Sequence, residues 1–362
     1  MGRRLLHSST LKCNIKPTTT SLATTNGFLE KPFFQQDLET LIRPVEKMAV
    51  ISNIPEYRVL RQKWFQEGLT VGFVPTMGAL HDGHISLVKN ALKMCDKVVV
   101  SIFVNPSQFA PNEDLSKYPR TIEEDLNLLR QVKTSQFLKN SGVDCVLLPT
   151  VEDLYPQGIP LNVAEQTGAF VEVKGMSHQM EGAIRPHFFR GVSTIVTKLF
   201  NLTQPTKAFF GQKDAQQCSV IKALVQDLLI PTEIEICETL REEDGLAMSS
   251  RNRYLNATER QLSTVLFKAL NKGKSVFDEG GNCKEILSSA ESVIRDCEAN
   301  SNGVIQYQYL SLNNPINLKN IDDTIDPNVG AIFSGAVKVG NTRIIDNLLL
   351  GNSIAKWSGS KI

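Results

Sequence analysis

Hydrophobic residues recur along the chain with two different periods, and each change of period predicts a new element. Stretches with a period of about 3.6 residues indicate amphipathic helices, whereas short continuous apolar runs indicate buried strands. The clearest strand is the run Lys-Val-Val-Val-Ser-Ile-Phe-Val at residues 97–104. The predicted elements are a helix from residue 54 capped by Gly68, a strand at 70–74, a helix at 84–95, the strand at 97–104, a helix starting at Thr121, a strand at 144–148, a helix at 191–201, a strand at 207–210, a helix at 215–228 and a strand at 233–237.

This alternation of strands and helices predicts the fold class. Strand–helix–strand units at such spacing are typical of an α/β protein with a doubly wound parallel sheet. One helix start is marked by polar residues, because Thr121 can act as N-cap and Glu124, three residues later, can complete a capping box. Ligands of doubly wound sheets bind at the carboxyl ends of the strands. The polar segments that directly follow strands are therefore the candidate sites.

The pattern changes beyond about residue 240, where helices precede strands. Predicted helices at 258–278 and 283–298 are followed by strands at 306–312, 331–339 and 343–350, with a polar loop at 313–328. Helices followed by strands indicate a second, smaller α+β domain. We expect three regions, which are a segment outside the fold at 1–47, the doubly wound domain at 48–239 and the α+β domain at 240–362.

The first 28 residues have a composition of their own. They contain Arg3, Arg4, Lys12 and Lys16, many Ser and Thr residues, and no Asp or Glu. This composition is typical of an organelle transit peptide, and a disordered tail is the alternative. Met48 precedes the first patterned segment and could start a shorter product. The sequence thus leaves a cytoplasmic and a mitochondrial location open.

Composition and charge narrow the classes of partner. Of 362 residues, 41% are hydrophobic and 21% charged, and the formal net charge is +1. No bulk charge favours nucleic acid or an anionic membrane, and no apolar run is long enough to span a bilayer. Seven scattered cysteines without a Cys-x-x-Cys spacing argue against a disulfide framework and a zinc site. Because the net charge is close to zero, any anion that the protein binds must be held by a local site.

Residues 75–84 (Pro-Thr-Met-Gly-Ala-Leu-His-Asp-Gly-His) lie between a predicted strand and a predicted helix. A helix N-terminus offers free amides and the positive end of a dipole, which favours phosphate. Gly78 and Gly83 would let a base or phosphate approach the backbone. His81 and His84 can point the same way and donate to phosphate oxygens. The segment is a candidate nucleotide site, with an exposed loop as the alternative.

Two further polar segments follow strands. In residues 101–109, Asn105 and Gln108 are neutral amides that can orient a carboxylate or hydroxyl, although an Asn-Pro turn is an equal alternative. In residues 211–217, Lys213 could neutralise phosphate and Asp214 could hold Mg²⁺ or a ribose hydroxyl. A charged helix start is common, so the second segment is moderately specific.

A fourth segment, residues 244–252, stands at the junction of the two predicted domains. Ser249, Ser250 and Arg251 supply hydroxyl donors and a guanidinium, which suit the charge on a leaving pyrophosphate. A surface turn is the alternative. A hinge at this junction could bring the segment over the nucleotide, and residues 240–362 would then act as a lid.

These four segments, in this order, resemble the pantoate–β-alanine ligase (pantothenate synthetase) family. Tyr118-Pro-Arg120 and Arg190-Gly-Val-Ser-Thr194 fit as well, and the similarity spans about residue 51 to the C-terminus. The resemblance implies a Rossmann-like fold of the nucleotidyltransferase type that carries a His-x-Gly-His motif. It also implies ATP with Mg²⁺, the substrates (R)-pantoate and β-alanine, a pantoyl-adenylate intermediate, and a homodimer.

The resemblance also implies roles for individual residues. His84 is the family's active-site acid, and His81, Lys213 and Arg251 are the other expected catalytic residues. Gln108 and Gln217 would hold pantoate, and Asn105 joins this group by its residue type. Matching positions in the ATP site are Met77, Gly78, Ala79, Leu80, His81, Asp82, Gly83, His84, Gly211, Gln212, Lys213, Asp214, Leu240, Met248, Ser249, Ser250 and Arg251.

The chain departs from the bacterial pattern at three positions. Gln212 stands where bacterial members carry Glu, Ala215 where they carry Tyr or Phe, and Phe188 where His is common; His187 is left out of the expected site. These forms look more like eukaryotic, fungal members, and residues 133–139 look like an added loop.

Rival functions remain open at this point. A nucleotidyltransferase would use the same histidine pair to join a nucleotide to a phosphate acceptor. A tRNA synthetase is disfavoured because no basic tRNA-binding domain is visible, and a module that only binds nucleotide is a further alternative. A nicotinamide dehydrogenase is disfavoured because no Gly-x-Gly-x-x-Gly loop opens a helix.

Overall fold

Six parallel strands form the main sheet of this computed structural model, which describes residues 48–111, 113–132 and 142–351. They are β1 (Ala49–Ile51), β2 (Val71–Thr76), β3 (Lys97–Ile102), β4 (Cys145–Leu147), β5 (Lys207–Gly211) and β6 (Glu233–Cys237). Their order in the sheet is β1-β4-β3-β2-β5-β6, and every neighbouring pair is parallel. The chain builds the sheet outward from β2 in one direction and then returns to add β5 and β6 on the other side. The predicted doubly wound parallel sheet is thereby confirmed.

Seven helices accompany this sheet within the described residues. They are α1 (Ile54–Gln66), α2 (Asp82–Met94), α3 (Ile122–Gln131), α4 (Val151–Leu154), α5 (Glu181–Ile184), α6 (Phe188–Thr203) and α7 (Ala215–Asp227). Gly68 follows α1 with a φ of +68°, as expected of a cap glycine. The expected capping box of α3 is wrong. Thr121 is the N-cap, but its hydroxyl accepts no backbone amide and instead donates to Asp125 Oδ1 (3.2 Å).

The sheet is buried on both faces, which explains the continuous apolar runs. Phe210 and Phe73 belong to the core packed against α1, α6 and α7, whereas the adjacent Phe209 and Val74 belong to the core packed against α2 and α3. Side chains alternate between the faces of a strand, so a strand covered on both faces must be apolar throughout. Strand β1 was not predicted, because a strand of three residues at the sheet edge is too short to show a hydrophobic periodicity.

The C-terminal part has the predicted α+β character. It contains α8 (Ala257–Leu262), α9 (Val265–Asp278), α10 (Cys283–Asn300) and an antiparallel sheet of β7 (Ile305–Asn313), β8 (Ala331–Val339) and β9 (Thr342–Leu350), in the order β7-β8-β9. A single helix at 258–278 was expected, and this was wrong. The helix breaks at Ser263, whose hydroxyl donates to the carbonyl of Arg260 and so competes with the helix ladder.

The elements of both sheets belong to one compact unit. The expected loop at 133–139 lies outside the described residues. No helix in the described ranges has the length and hydropathy needed to cross a membrane.

Candidate active site

A cavity of about 980 Å³ lies at the carboxyl ends of β2 and β5, between which the direction of strand order reverses. This switch point is where doubly wound sheets bind ligands. Residues of β9 line the cavity as well, so both sheets contribute to it. The expected site residues that line it are Met77, His81, Gly83, His84, Asn105, Gln108, Gly211, Lys213, Asp214, Gln217, Leu240, Met248, Ser249, Ser250 and Arg251.

The two histidines form the first turn of α2. His81 is the N-cap, and its Nδ1 accepts from the amide of Gly83 (3.1 Å). His84 is the third helical residue, and its Nδ1 accepts from the amide of His81 (3.3 Å). The helix therefore begins at Asp82, two residues earlier than expected. Because Nδ1 is the acceptor in both neutral rings, the ring proton is on Nε2.

Burial keeps both imidazoles uncharged at neutral pH. It lowers the pKa of His81 from 6.5 to about 4, and the nearby ammonium of Lys213 contributes. It lowers the pKa of His84 from 6.5 to about 3, with His81 and Lys213 adding to the effect. The ring centroids are 4.1 Å apart. The cavity thus has two neutral Nε2–H donors side by side.

A buried carboxylate occupies the turn before α2. The amides of Ala79 and Leu80 donate to Asp125 of α3 at 2.9 and 2.8 Å. Gly78 and Ala79 have φ values of +79° and +51°, which directs successive amides toward one anion. These amides are therefore engaged by Asp125, not left for a phosphate. The expected ATP-site residues that lie outside the cavity lining are Gly78, Ala79, Leu80, Asp82 and Gln212.

The reasons for the two glycines differ from those expected. A Cβ on Gly83 would lie 2.8 Å from the ring of His81, so this glycine makes room for the imidazole. A Cβ on Gly78 would lie 3.0 Å from the Asp125 carboxylate, at a φ that side chains rarely adopt. Both glycines thus serve the internal packing of the segment.

Asn105 orients Gln108, and both polar atoms of its own side chain are hydrogen-bonded. Its Nδ2 donates to Gln108 Oε1 (2.8 Å) and its Oδ1 accepts from the hydroxyl of Tyr155 (2.8 Å). Burial, as the main cause, raises the pKa of Tyr155 to about 12, so the phenol remains a donor. Gly191 of α6 allows close packing here, because a Cβ would lie 2.1 Å from the carbonyl oxygen of Ser107. Asn105 lines the cavity, and these contacts give it a supporting position beside Gln108; its direct contact with substrate stays a prediction.

The segment from the domain junction contacts the turn before α2. The hydroxyl of Ser250 donates to the carbonyl of Ala79 (3.0 Å). Arg251 is half-buried, and its guanidinium lies 3.3 and 3.4 Å from the two carboxylate oxygens of Asp114. Lys213 also lines the cavity, with its Nζ 3.6 Å from Asp214. A surface turn is thereby ruled out for residues 248–251.

Comparison with known proteins identifies the family. The family model for pantoate-beta-alanine ligase matches residues 49–349. The chain belongs to the pantoate–β-alanine ligase family. A pantothenate synthetase of Herpetosiphon aurantiacus is 44% identical over 305 residues, covering 84% of this chain and all of the relative. One from Carboxydothermus hydrogenoformans is 45% identical over 287 residues, covering 79% of this chain and 93% of the relative.

Solved structures of the ligase family have the same fold. The pantothenate synthetase of Thermus thermophilus aligns with a TM-score of 0.73 at 38% identity, over 84% of this chain and all of that chain. The Francisella tularensis pantoate-beta-alanine ligase, solved in complex with β-γ ATP and β-alanine, aligns with a TM-score of 0.64 at 32% identity. That alignment covers 84% of this chain and 98% of the other. This protein, as a member of the family, is accordingly an enzyme of the ligase class.

Several lining residues of this ligase were missed by the sequence analysis. Arg185 donates to Glu113 (2.6 and 2.7 Å) and to the carbonyl of Gln108 (3.1 Å), and its guanidinium lies 3.9 Å from the ring centroid of Phe188. His187 is exposed and does not line the cavity, so it does not take the place of the histidine in the bacterial pattern. Phe188 lines the cavity with its aromatic ring instead. The residue pattern carries no signal for this group, because its members meet only after folding.

The C-terminal sheet supplies a second missed group. Arg343 pairs with Glu181 and Tyr309 donates to the same carboxylate (2.8 Å), all three at the cavity wall. Asp346 and Asn347 of β9 also line the cavity. Two adjacent polar residues between the apolar residues 344–345 and 348–350 were the available signal in the sequence.

Proposed function

We propose that this cavity condenses (R)-pantoate with β-alanine at the expense of ATP, through a pantoyl-adenylate intermediate. The observation that carries the proposal is the pair of neutral Nε2–H donors on His81 and His84, in one cavity with the cations Lys213 and Arg251. Family membership supports the substrates, and the Francisella tularensis relative was solved with β-γ ATP and β-alanine.

In the first step, a carboxylate oxygen of pantoate attacks the α-phosphorus of ATP. A carboxyl O–P bond forms, the bond from the α-phosphorus to the bridging oxygen breaks, and pyrophosphate leaves with its electrons. Because their rings are already neutral, His81 and His84 would donate hydrogen bonds from Nε2–H to phosphate oxygens. The ammonium of Lys213 would neutralise negative charge on the leaving group. Arg251 is held loosely by Asp114, so a phosphate can compete for its guanidinium.

In the second step, the amine of β-alanine attacks the acyl carbon of the adenylate. A C–N bond forms, the acyl C–O bond to AMP breaks, and the amine releases a proton to solvent. Gln108 and Gln217 would hold pantoate through neutral amides, with Gln108 oriented by Asn105. Holding both reactants in line replaces a bimolecular encounter with a positioned one.

Mg²⁺ would enter with the nucleotide. Within the described ranges, no group of three or more His, Cys, Asp or Glu side chains could hold a metal ion. Asp214 lines the cavity and can supply one carboxylate, with the remaining ligands from phosphate and water, as Mg²⁺ prefers. The ion would stabilise negative charge on the polyphosphate. We expect removal of Mg²⁺ by a chelator to abolish AMP formation.

The test is AMP release with ATP, pantoate and β-alanine, omitting each in turn. We expect AMP and pantothenate only in the complete mixture, and ATP–pyrophosphate exchange with pantoate alone. In His84→Ala the exchange should fall by roughly 10²–10³, the usual effect of losing one such donor. Near-normal exchange in that folded variant would refute the role of His84. A dinucleotide-like product would instead indicate a nucleotidyltransferase.

A further inference from the structure

Strand β9 carries a buried asparagine that holds the turn bearing Lys213. Asn347 is 1% exposed. Its Nδ2 donates to the backbone carbonyls of Gln212 and Lys213, both at 2.9 Å, and its Oδ1 accepts from the side chain of Gln212 (3.2 Å). One side chain thus fixes two consecutive peptide units of the turn that carries Lys213.

The turn needs such external support. Residues Gln212–Asp214 form a single 3₁₀ turn between β5 and α7. In the described part of the chain, no side chain caps either this turn or the start of α7. A short 3₁₀ turn has poor hydrogen-bond geometry of its own. The orientation of the Lys213 backbone therefore depends on Asn347.

The neighbouring residue of β9 secures the other nucleotide segment. Asp346 accepts two bonds from Arg241, at 2.6 and 2.9 Å, and is itself buried. Arg241 precedes Met248 by seven residues in the chain, and its guanidinium donates to the carbonyl of Gly245 (3.0 Å), which lies between them in the sequence. Two adjacent residues of one strand therefore hold two segments that both contribute residues to the cavity lining.

We propose that Asn347 is a positioning residue for Lys213, and that the C-terminal sheet thereby sets the geometry of the phosphate site. The inference rests on the proposed function, in which Lys213 neutralises the leaving pyrophosphate. Asn347 acts through the backbone of Lys213 and does not itself touch substrate. An amide is required because two carbonyl oxygens need donors, which an aspartate cannot supply.

The test is a double-mutant cycle on pantoate-dependent ATP–pyrophosphate exchange by the full chain. We expect Asn347→Ala to lower kcat about tenfold or more, as misplacement of a reacting group does, with the KM for pantoate changed less than about threefold. In a Lys213→Ala background, Asn347→Ala should cause less than about a twofold further loss, because coupled residues are not additive.

Asn313 offers the matched control. It is a buried asparagine of β7 in the same sheet, and its Nδ2 donates to Leu318 and Asn320, away from the cavity. Asn313→Ala should lower the melting temperature and leave kcat unchanged. Asn347→Asp, which keeps the volume but loses both donors, replaces Asn347→Ala if that variant fails to fold.

The outcomes separate the inference from the proposed function. Wild-type kcat in both Asn347 variants would overturn the inference. So would independent, multiplicative losses in the double mutant, because Asn347 would then not act through Lys213. Failure of the wild-type chain to form AMP from pantoate and β-alanine would instead overturn the proposed function.

Discussion

At the scale of single residues, the histidine pair owes its chemistry to its place in one helix turn. A capping box ordinarily uses a Ser or Thr hydroxyl and a Glu or Gln side chain. Here two imidazoles close it through Nδ1, which leaves Nε2–H for a ligand. The same bonds therefore fix the helix start, the tautomers and the donors of His81 and His84.

A pH dependence of stability follows from His84. Burial lowers its folded-state pKa to about 3, whereas the unfolded chain binds this proton near 6.5. As pH falls through this window, only the unfolded state gains the proton, so the free energy of unfolding decreases. We expect His84→Gln to reduce the loss of stability between pH 7 and pH 5 by about 1–2 kcal/mol, measured by urea unfolding. An unchanged pH slope would show that His84 does not titrate in this way.

Gly83 is expected to be sensitive for the same structural reason. A Cβ there would displace the ring of His81. We expect Gly83→Ala to lower the kcat of exchange about tenfold while the protein stays folded, since Ala favours a helix. The control is Gly142→Ala, whose Cβ would make an ordinary contact of 3.5 Å with Val132. Equal kcat values for the two variants would contradict the steric argument.

At the scale of elements, helix α3 stabilises the turn that precedes α2. Asp125 is 1% exposed and accepts two backbone amides. We expect Asp125→Ala to lower the free energy of unfolding by roughly 2–3 kcal/mol, because two buried N–H groups lose a charged acceptor. Thr121→Ala removes only a 3.2 Å contact and should cost less than about 1 kcal/mol. Urea titrations of both variants test this, and equal losses would be evidence against it.

The elements also show where prediction from sequence succeeds. Strands β2 to β5 were found because burial on both faces leaves continuous apolar runs, whereas β6 at the sheet edge alternates Glu and Ile residues. Two errors have local causes, since β1 is too short to show a period and Ser263 interrupts the expected helix by bonding its own backbone. The role of Asp125 could not be predicted, because its partners lie on another element 45 and 46 residues away.

At the scale of the whole molecule, the described fold starts directly after Met48. The first strand begins at Ala49, and the family match begins at residue 49. We expect a chain that starts at Met48 to keep the kcat and melting temperature of the full chain. A large loss of either would show that residues 1–47 contribute to the folded enzyme.

The targeting role of residues 1–47 stays a proposal. Their acid-free, Arg- and Ser-containing start supports import into mitochondria. Fusion of these residues to a fluorescent reporter should direct it there, and a diffuse cytosolic signal would contradict the proposal.

Two predictions from the family resemblance also concern the whole molecule. We propose that the enzyme is a homodimer, which light scattering in solution would test through a mass twice the 40.2 kDa of the chain. Closure of residues 240–362 as a lid likewise stays a prediction. The contacts of Asp346 and Asn347 describe the position that such a lid would adopt when docked.

The sequence by itself determined the sheet class, the segments after β2, β3 and β5, and the residue types that suit a nucleotide and a small acid. These properties follow from local period and composition, which a single chain displays. The tertiary structure decided which groups are free to act. It assigned the amides of Ala79 and Leu80 to Asp125, turned Asn105 into a support, and brought Asn347 against Lys213. Those pairings depend on distant parts of the chain meeting, and residue spacing carries no record of them.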